Sequence, residues 1–567
     1  MHIERLSVKN FRNLEDVEIF LRPGTVVVGA NRAGKSNLVH ALRLVLDGSL
    51  SHADRQLGRE DFWAAPGTDR DPMALGEVVE ASIDIVDFEH EPQLLAALGD
   101  ALLGEVPLRA RLTYRFAPID DGVATAVPRY RGAVYGGDQR ERPLPSDVRS
   151  TIYLLFLHAL RDVEADIRNW RRSPLRALLQ AAASAAEEED LDDVRKSMRD
   201  ANARLNELEV IRDLSRNIGG RLTDMVGDAQ AIETELAAAP EDPLKLIRNM
   251  RLFVDGDAHR TLTSASLGTL NVLYLALQEL GLDSRTYGES DIAHVVTAIE
   301  EPEAHLHPHL QRLIFRRLLA TRARPSTVLV TTQSPYIASV ADPRSLVVLR
   351  DVDGRTVAAS AHRADLDEAG WDDIARYLDA TKAELVFARR VLLVEGFAEQ
   401  VLMPVLARAI GIDLDKEGIT VCAIHGTHFT PFVRFCDALE LPWAIVTDGD
   451  VDKAAPYRGI SRVGRIVAAT RPEHRAGFFI GDHTFEHDLI AMVPENVEPS
   501  LSALASLCAE PSAAVVASWN GLDPGPESFL GMIDSAGGKG RYAQRLALYG
   551  VQPPPYIERA LRHLVAR

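Results

Sequence analysis

Cysteine is nearly missing from this chain. Its 567 residues hold three, Cys422, Cys436 and Cys508, with no paired spacing. That argues against a disulfide framework or a zinc site, and it suits a reducing, cytoplasmic location. Long apolar runs are missing too. No stretch reaches the roughly 18 residues that a membrane span needs, so no membrane partner is expected. The opening MHIERLSVKNFRNLE lacks the apolar core of a secretion signal. Positive charge is in deficit, with 63 Lys and Arg against 82 Asp and Glu and a formal net charge of −19. Such a balance is not that of a protein that coats DNA, because phosphate binding needs positive potential. It still admits DNA where basic residues are confined to one groove.

What the chain does have is ordinary apolar content, 46%, and length for roughly two to four domains. Val26-Val27-Val28 reads as a buried strand entering a glycine-rich turn, and helix periodicity resumes at Leu38, Leu42 and Leu46. Residues 77–135 read as strand-rich. From about 150 to 250 the text turns helical, including a long Ala, Leu, Glu and Arg-rich stretch without proline. It fits either a solvated helical hairpin or an arm used for dimerisation. Strand and helix signals alternate again from 251, and Val391-Leu392-Leu393-Val394 starts a new α/β pattern after a hinge-like helical stretch. The expected division is 1–150 and 251–365 for one α/β domain, 151–250 for a helical insertion, and 366–567 for a second α/β domain with a helical tail.

Gly29-Ala30-Asn31-Arg32-Ala33-Gly34-Lys35-Ser36 fits GxxxxGK[ST] without a mismatch. Such glycines let backbone N–H groups curl around a β-phosphate, with Asn31 in the loop and Asn37 just behind it. Lys35 neutralises the β- and γ-phosphates, and the Ser36 hydroxyl ligates Mg²⁺. The helix that begins here adds its positive end. ATP is therefore the expected cofactor of this part. His294–Ile299 then forms an apolar strand ending in Glu300 and Glu301. Glu300 would hold the water shell of Mg²⁺, and Glu301 would polarise the attacking water.

A second acidic set lies downstream. An apolar strand delivers Glu395 onto Gly396, and Glu399 follows where a helix would face the same side. Ala444-Ile445-Val446-Thr447 then delivers Asp448-Gly449-Asp450. Parallel strands bring their C-terminal ends to one sheet edge, where open α/β sheets bind ligands. Glu395, Asp448 and Asp450 can thus converge, and hard oxygen ligands suit Mg²⁺ or Mn²⁺.

These strings resemble known families. EEPEAHLHP resembles the Walker B and D-loop of ABC ATPases of the SMC, RecF and Rad50 group. Glu-Gly followed by Asp-x-Asp resembles the Toprim domain. The order, ATPase then Toprim, is similar to that of OLD (overcoming lysogenisation defect) nucleases. The resemblance implies an α/β fold with an ABC-type ATPase head, a helical dimerisation insertion, and a Rossmann-like Toprim domain with a parallel sheet. It implies metal-dependent endonuclease action on DNA with two Mg²⁺ or Mn²⁺ ions, a homodimer or higher homo-oligomer, and a helicase or sensor protein as a further partner. It also implies a role in DNA metabolism or defence against phage. Ser264–Thr269, with Ser266 and Gly268, is similar to a signature motif, or is a Ser/Gly helix cap. Gln333 stands where the family has a switch histidine and cannot carry a proton as imidazole does. Glu486, in Thr484–Leu489, is similar to the late acidic motif, and Lys539, in Gly537–Ala543, to the lysine motif. Glu486 would be a metal ligand, and Lys539 would stabilise charge developing on phosphate. Arg462, Arg465, Arg471 and Arg475 would grip the DNA backbone, or form a solvated face. Two other readings stay open: an SMC/RecF-like ATP-switched clamp that does not cut, and an effector that cuts only with a partner. No breakage-reunion domain or zinc pattern supports a topoisomerase or primase reading.

Overall fold

A strand buried on both faces needs continuous apolar text, and the chain supplies it repeatedly. The computed structural model describes residues 1–65, 67, 70–104, 106–119, 127–140, 143–145, 151–158, 173–226, 242–248, 250, 252–254, 260–286, 292–320, 326–378, 382–449, 458–468 and 475–566. The chain divides into two units, Met1–Ala159 with Ile292–Glu303 and His307–Arg567, and Leu160–Asp291 with Ala304–Leu306.

The first unit holds three sheets. Five antiparallel strands lie in the order Leu14–Phe20, His2–Phe11, Val79–Val86, Ala110–Pro118 and Tyr130–Gly136. Six further strands lie in the order Arg355–Ser360, Leu346–Val352, Gly24–Gly29, Ser326–Thr332, His294–Glu300 and Ile152–Leu157. All pair in parallel except the edge strand Arg355–Ser360. Helix Lys35–Leu46 buries Leu38, Val39, Leu42 and Val45 in the core shared by these two sheets. Each such side chain contributes about 1.5–3 kcal/mol on burial.

The third sheet is wholly parallel, in the order Ile419–Ala423, Arg390–Val394, Trp443–Thr447 and Arg475–Ile480. Its core takes in helix Phe397–Ala409 and the C-terminal helices Val497–Ala505, Pro526–Ser535, Lys539–Leu546 and Pro555–Val565. The second unit is helical, with Pro174–Ala185 packed on Leu267–Thr286 and Pro243–Arg248. Helices Glu188–Asn206 and Glu209–Val226 pack on each other and leave Val194, Leu205, Val210 and Leu214 exposed.

The chain is thus α/β, with a mixed head followed by a parallel sheet, as the sequence led us to expect. One element differs. Ile152–Leu157 falls in the stretch read as helical, yet it is a strand paired with His294–Glu300, Thr297 opposite Leu155. A short apolar run such as IYLLFL satisfies a buried strand and a buried helix equally, and only its sheet partner, far along the chain, decides. Among the described residues, no helix is long and apolar enough to cross a membrane.

Candidate functional site

The first site is assembled at the C-terminal ends of three neighbouring strands. Gly24–Gly29 enters the phosphate loop. Ser326–Thr332 lies between it and His294–Glu300, with Thr331 opposite both Val27 and Glu300. Two loop glycines are required by space. A Cβ on Gly29 would stand 2.6 Å from the Leu349 carbonyl oxygen. A Cβ on Gly34, whose φ is 97°, would stand 2.6 Å from Thr356 Oγ1. The Thr356 hydroxyl donates to Ala33 O, which ties the loop to the edge hairpin.

Lys35, 5% exposed, donates to Gly29 O at 2.8 Å and Ala30 O at 3.0 Å, and lies 3.7 Å from Glu301 Oε1. Burial lowers its pKa, opposed by Glu301 and Glu303. Ser36 is bonded to Glu300, whose pKa burial raises. Glu301 adopts a left-handed φ of 40°, a conformation that costs a non-glycine residue roughly 1–3 kcal/mol and clusters at functional positions. Gln333 Nε2 donates to Glu301 Oε1 at 2.6 Å. Asn37 is held between Arg12 and Asn13, while Asn31 is exposed. The structure therefore brings Lys35, Glu301 and Gln333 together. It adds Glu303, which the sequence reading passed over. Glu303 accepts from the Thr332 hydroxyl and the Gln333 N–H, and so fixes the segment carrying Gln333.

Ser266 and Gly268 lie in the second unit. Ser266 Oγ accepts from Thr269 N at 3.2 Å and so caps its own helix. A Cβ on Gly268 would stand 2.6 Å from His305 O, so close packing on the segment after Glu303 requires glycine there.

The second site lies at the C-terminal edge of the parallel sheet. Glu395 ends strand Arg390–Val394, and Gly396 starts helix Phe397–Ala409 with Glu399 in its first turn. Asp448 ends the adjacent strand. The Thr447 hydroxyl and the Asp448 N–H both donate to Glu395 Oε1, the latter at 2.9 Å. Asp448 Oδ1 accepts from Phe485 N at 2.9 Å, at the start of helix Phe485–Ala491, which carries Glu486. Lys539, first residue of helix Lys539–Leu546, pairs with Glu486 Oε2 at 2.9 Å.

Asp448, Glu399 and Glu486 are 9%, 6% and 2% exposed. Burial, then repulsion from neighbouring carboxylates, lifts Asp448 to about 9 and Glu399 to about 7. Burial works against the charge of Lys539, but Glu486, Asp448 and Glu399 outweigh it and raise its pKa. Four of the five predicted acids thus share one electrostatic pocket with one lysine. Asp450 lies outside the described residues. Among the described residues, no three His, Cys, Asp or Glu side chains are disposed to hold a metal ion. The donor set is nonetheless all hard oxygen, and the repulsion among its buried members is what a bound divalent cation would relieve. Of the four arginines between the acidic motifs, Arg465 alone has a described side chain, and it is exposed.

Sequence reasoning also missed Asp488. It is fully buried and accepts from Asp482 N and His483 N, each at 3.0 Å. His483 O in turn accepts from Gly449 N. The carboxylate therefore holds the turn that seats the Asp448–Gly449 segment. Its only sequence signal is a second acid two places after Glu486. Asp488→Ala would leave the Asp482 and His483 N–H donors unpaired, and a urea titration should show a loss of about 1–3 kcal/mol. An unchanged midpoint would mean that the turn is held by other contacts.

Comparison with known proteins agrees with this layout. Residues 386–450 match the family model described as "Overcoming lysogenization defect protein-like, TOPRIM domain". Residues 138–339 match "AAA domain, putative AbiEii toxin, Type IV TA system", and residues 1–92 match "AAA ATPase domain". The OLD nuclease of Thermus scotoductus is 27% identical over 466 residues, 79% of this chain and 82% of that protein. Endonuclease GajA of Bacillus cereus is 20% identical over 477 residues, 81% of this chain and 77% of that protein. The solved C-terminal region of the Burkholderia pseudomallei OLD protein is 28% identical, spans 32% of this chain and 98% of that one, and gives a TM-score of 0.29. ATPase-domain matches are followed by an OLD-like Toprim match, over a phosphate loop and an acidic sheet edge in that order, so the chain is similar to OLD-type ATPase–Toprim proteins along both parts of its length.

Proposed function

We propose that this chain is an ATP-binding, divalent-metal-dependent DNA endonuclease. The observation that carries the reading is the group of three buried acids, Glu399, Asp448 and Glu486, with half-buried Glu395, beside Lys539 at the edge of the parallel sheet. Two relatives named as nucleases extend over both parts of the chain. Glu395, Glu399, Asp448, Asp450 and Glu486 would hold a pair of Mg²⁺ or Mn²⁺ ions. Bound there, such ions supply an activated water and charge stabilisation for phosphodiester hydrolysis. Glu395 orients the Asp448 backbone, and Lys539 offers positive charge to a DNA phosphate at the acidic edge. Incubation of supercoiled plasmid with Mg²⁺ or Mn²⁺ tests the reading. Nicked or linear DNA is the expected product. Intact plasmid with both metals would leave an ATP-switched DNA clamp.

At the head, the loop 29–36 would cradle the ATP phosphates, with Lys35, Ser36 and Glu300 at the Mg²⁺ side and Glu301 polarising water. Gln333 orients Glu301 but cannot relay a proton, so ATP serves more as a switch than as a fuel. Gln333→His should raise the ATPase rate about ten-fold or more, read as phosphate release. An unchanged rate would place the limiting step elsewhere. The exposed apolar residues Val194, Leu205, Val210 and Leu214 of the helical arm support assembly as a homodimer. A role in DNA metabolism or defence against phage is what the resemblance to OLD nucleases implies.

A further inference from the structure

A partly buried arginine joins the two halves of the first unit. Arg350 lies on strand Leu346–Val352, immediately after Leu349. That strand pairs in parallel with the phosphate-loop strand, Leu349 opposite Gly29, and the Leu349 carbonyl is the atom against which Gly29 is packed. Any shift of the loop's first residue therefore bears on Arg350. The guanidinium reaches the other way. Its Nη2 donates to Leu439 O, at the C-terminal end of helix Thr430–Ala438. The negative end of a helix suits a cation.

From Leu439 the chain runs directly to the nuclease edge. Glu440 adopts a left-handed φ of 54°, and Leu441 N closes the turn on Cys436 O. Strand Trp443–Thr447 then ends at Asp448. Trp443 Nε1 donates to Asp437 Oδ1 at 2.8 Å, so helix and strand move together. A second strap ties the same helix to the last residue of the head: Arg434 Nη1 donates to Asp365 O at 2.6 Å.

Two features mark Arg350 as more than a peg. Its Nη1 is buried with no hydrogen-bond partner among the described residues. An unpaired buried donor is costly. Burial depresses its pKa, and Glu440 is the carboxylate that opposes this, yet the two form no ion pair. The group thus has one bond made and a carboxylate, Glu440, within its electrostatic reach.

We infer that Arg350 is a positioning residue that transmits the state of the phosphate loop to the Asp448 strand through helix Thr430–Ala438. The inference rests on the proposed nuclease reading for its consequence, though not for its test. Hydrogen exchange of residues 430–441 is measured on the full chain with and without ATP and Mg²⁺, for wild type, Arg350→Met and Arg350→Lys. In wild type, ATP should change exchange in this segment about five-fold or more. Arg350→Met should abolish that change while binding ATP as wild type does. In a plasmid assay the ratio of cleavage rates with and without ATP should fall toward one, with nucleotide-free cleavage unchanged. Arg350→Lys keeps the charge without the planar fork, and should give an intermediate response. It decides the matter if the methionine variant does not fold. No response in wild type, or a full response in either variant, overturns the inference. Coupling carried instead by packing of helix Pro335–Ala338 on Ala383–Phe387 would produce the full response. A normal exchange response in a protein that cuts no DNA would refute the nuclease reading and leave the relay standing.

Discussion

Glu395→Ala is expected to abolish metal-dependent plasmid cleavage, with a rate loss on the order of 10³-fold or more. Two losses combine in that figure. One is a charge from the ion-binding set, where bound metal is worth several kcal/mol of transition-state stabilisation. The other is the acceptor for the Asp448 N–H and the Thr447 hydroxyl, without which Asp448 is no longer fixed. Glu395→Gln separates them. Its amide oxygen still accepts from Asp448 N, so the backbone stays in place while the charge is gone. Both variants should be equally inactive if charge governs. A cleavage rate in Glu395→Ala within a few-fold of wild type would remove the Toprim edge from the chemistry altogether.

Lys35→Ala should have the second-largest effect, on a different observable. Lys35 is the buried cation of the phosphate loop, held by Gly29 O and Ala30 O beside Glu301. Charge-assisted bonds to phosphate are worth about 1.5–3 kcal/mol each, so losing the ammonium should weaken ATP binding by roughly 10²- to 10³-fold. Fluorescent nucleotide titration measures this directly. Nucleotide-free cleavage should remain within a few-fold of wild type, because the acidic edge of the parallel sheet does not include Lys35. A protein that binds ATP normally would contradict the loop assignment. One that loses ATP and all cleavage together, while still folded, would show obligatory coupling.

How much of this was legible in the sequence depends on whether the chemistry is local. The loop from Gly29 to Ser36 carries its purpose in its spacing, and the structure seats Gly29 and Gly34 where a Cβ would collide. Glu395 and Asp448 were legible because each ends an apolar run, and parallel pairing sets those ends side by side. Residues whose value lies in a distant partner were not legible. Glu303 matters because Thr332 and Gln333 come back to it, and Asp488 because a turn folds onto its carboxylate. Arg350 gains its meaning from a carbonyl 89 residues away. Ile152–Leu157 was misread for the same reason, since its identity as a strand is conferred by residues 294–299. Net charge is uninformative for a related reason. The −19 of the whole chain says nothing about one lysine set beside three buried acids.

The account stands on divalent ions at the edge of the parallel sheet, and counting them tests it most directly. Mn²⁺ titration followed by electron paramagnetic resonance, in Lys35→Ala without nucleotide, isolates that edge from the head. Two tightly bound ions are expected, with both weakened or lost in the double variant Lys35→Ala, Glu395→Gln. The same count in both proteins, or none in either, would contradict it.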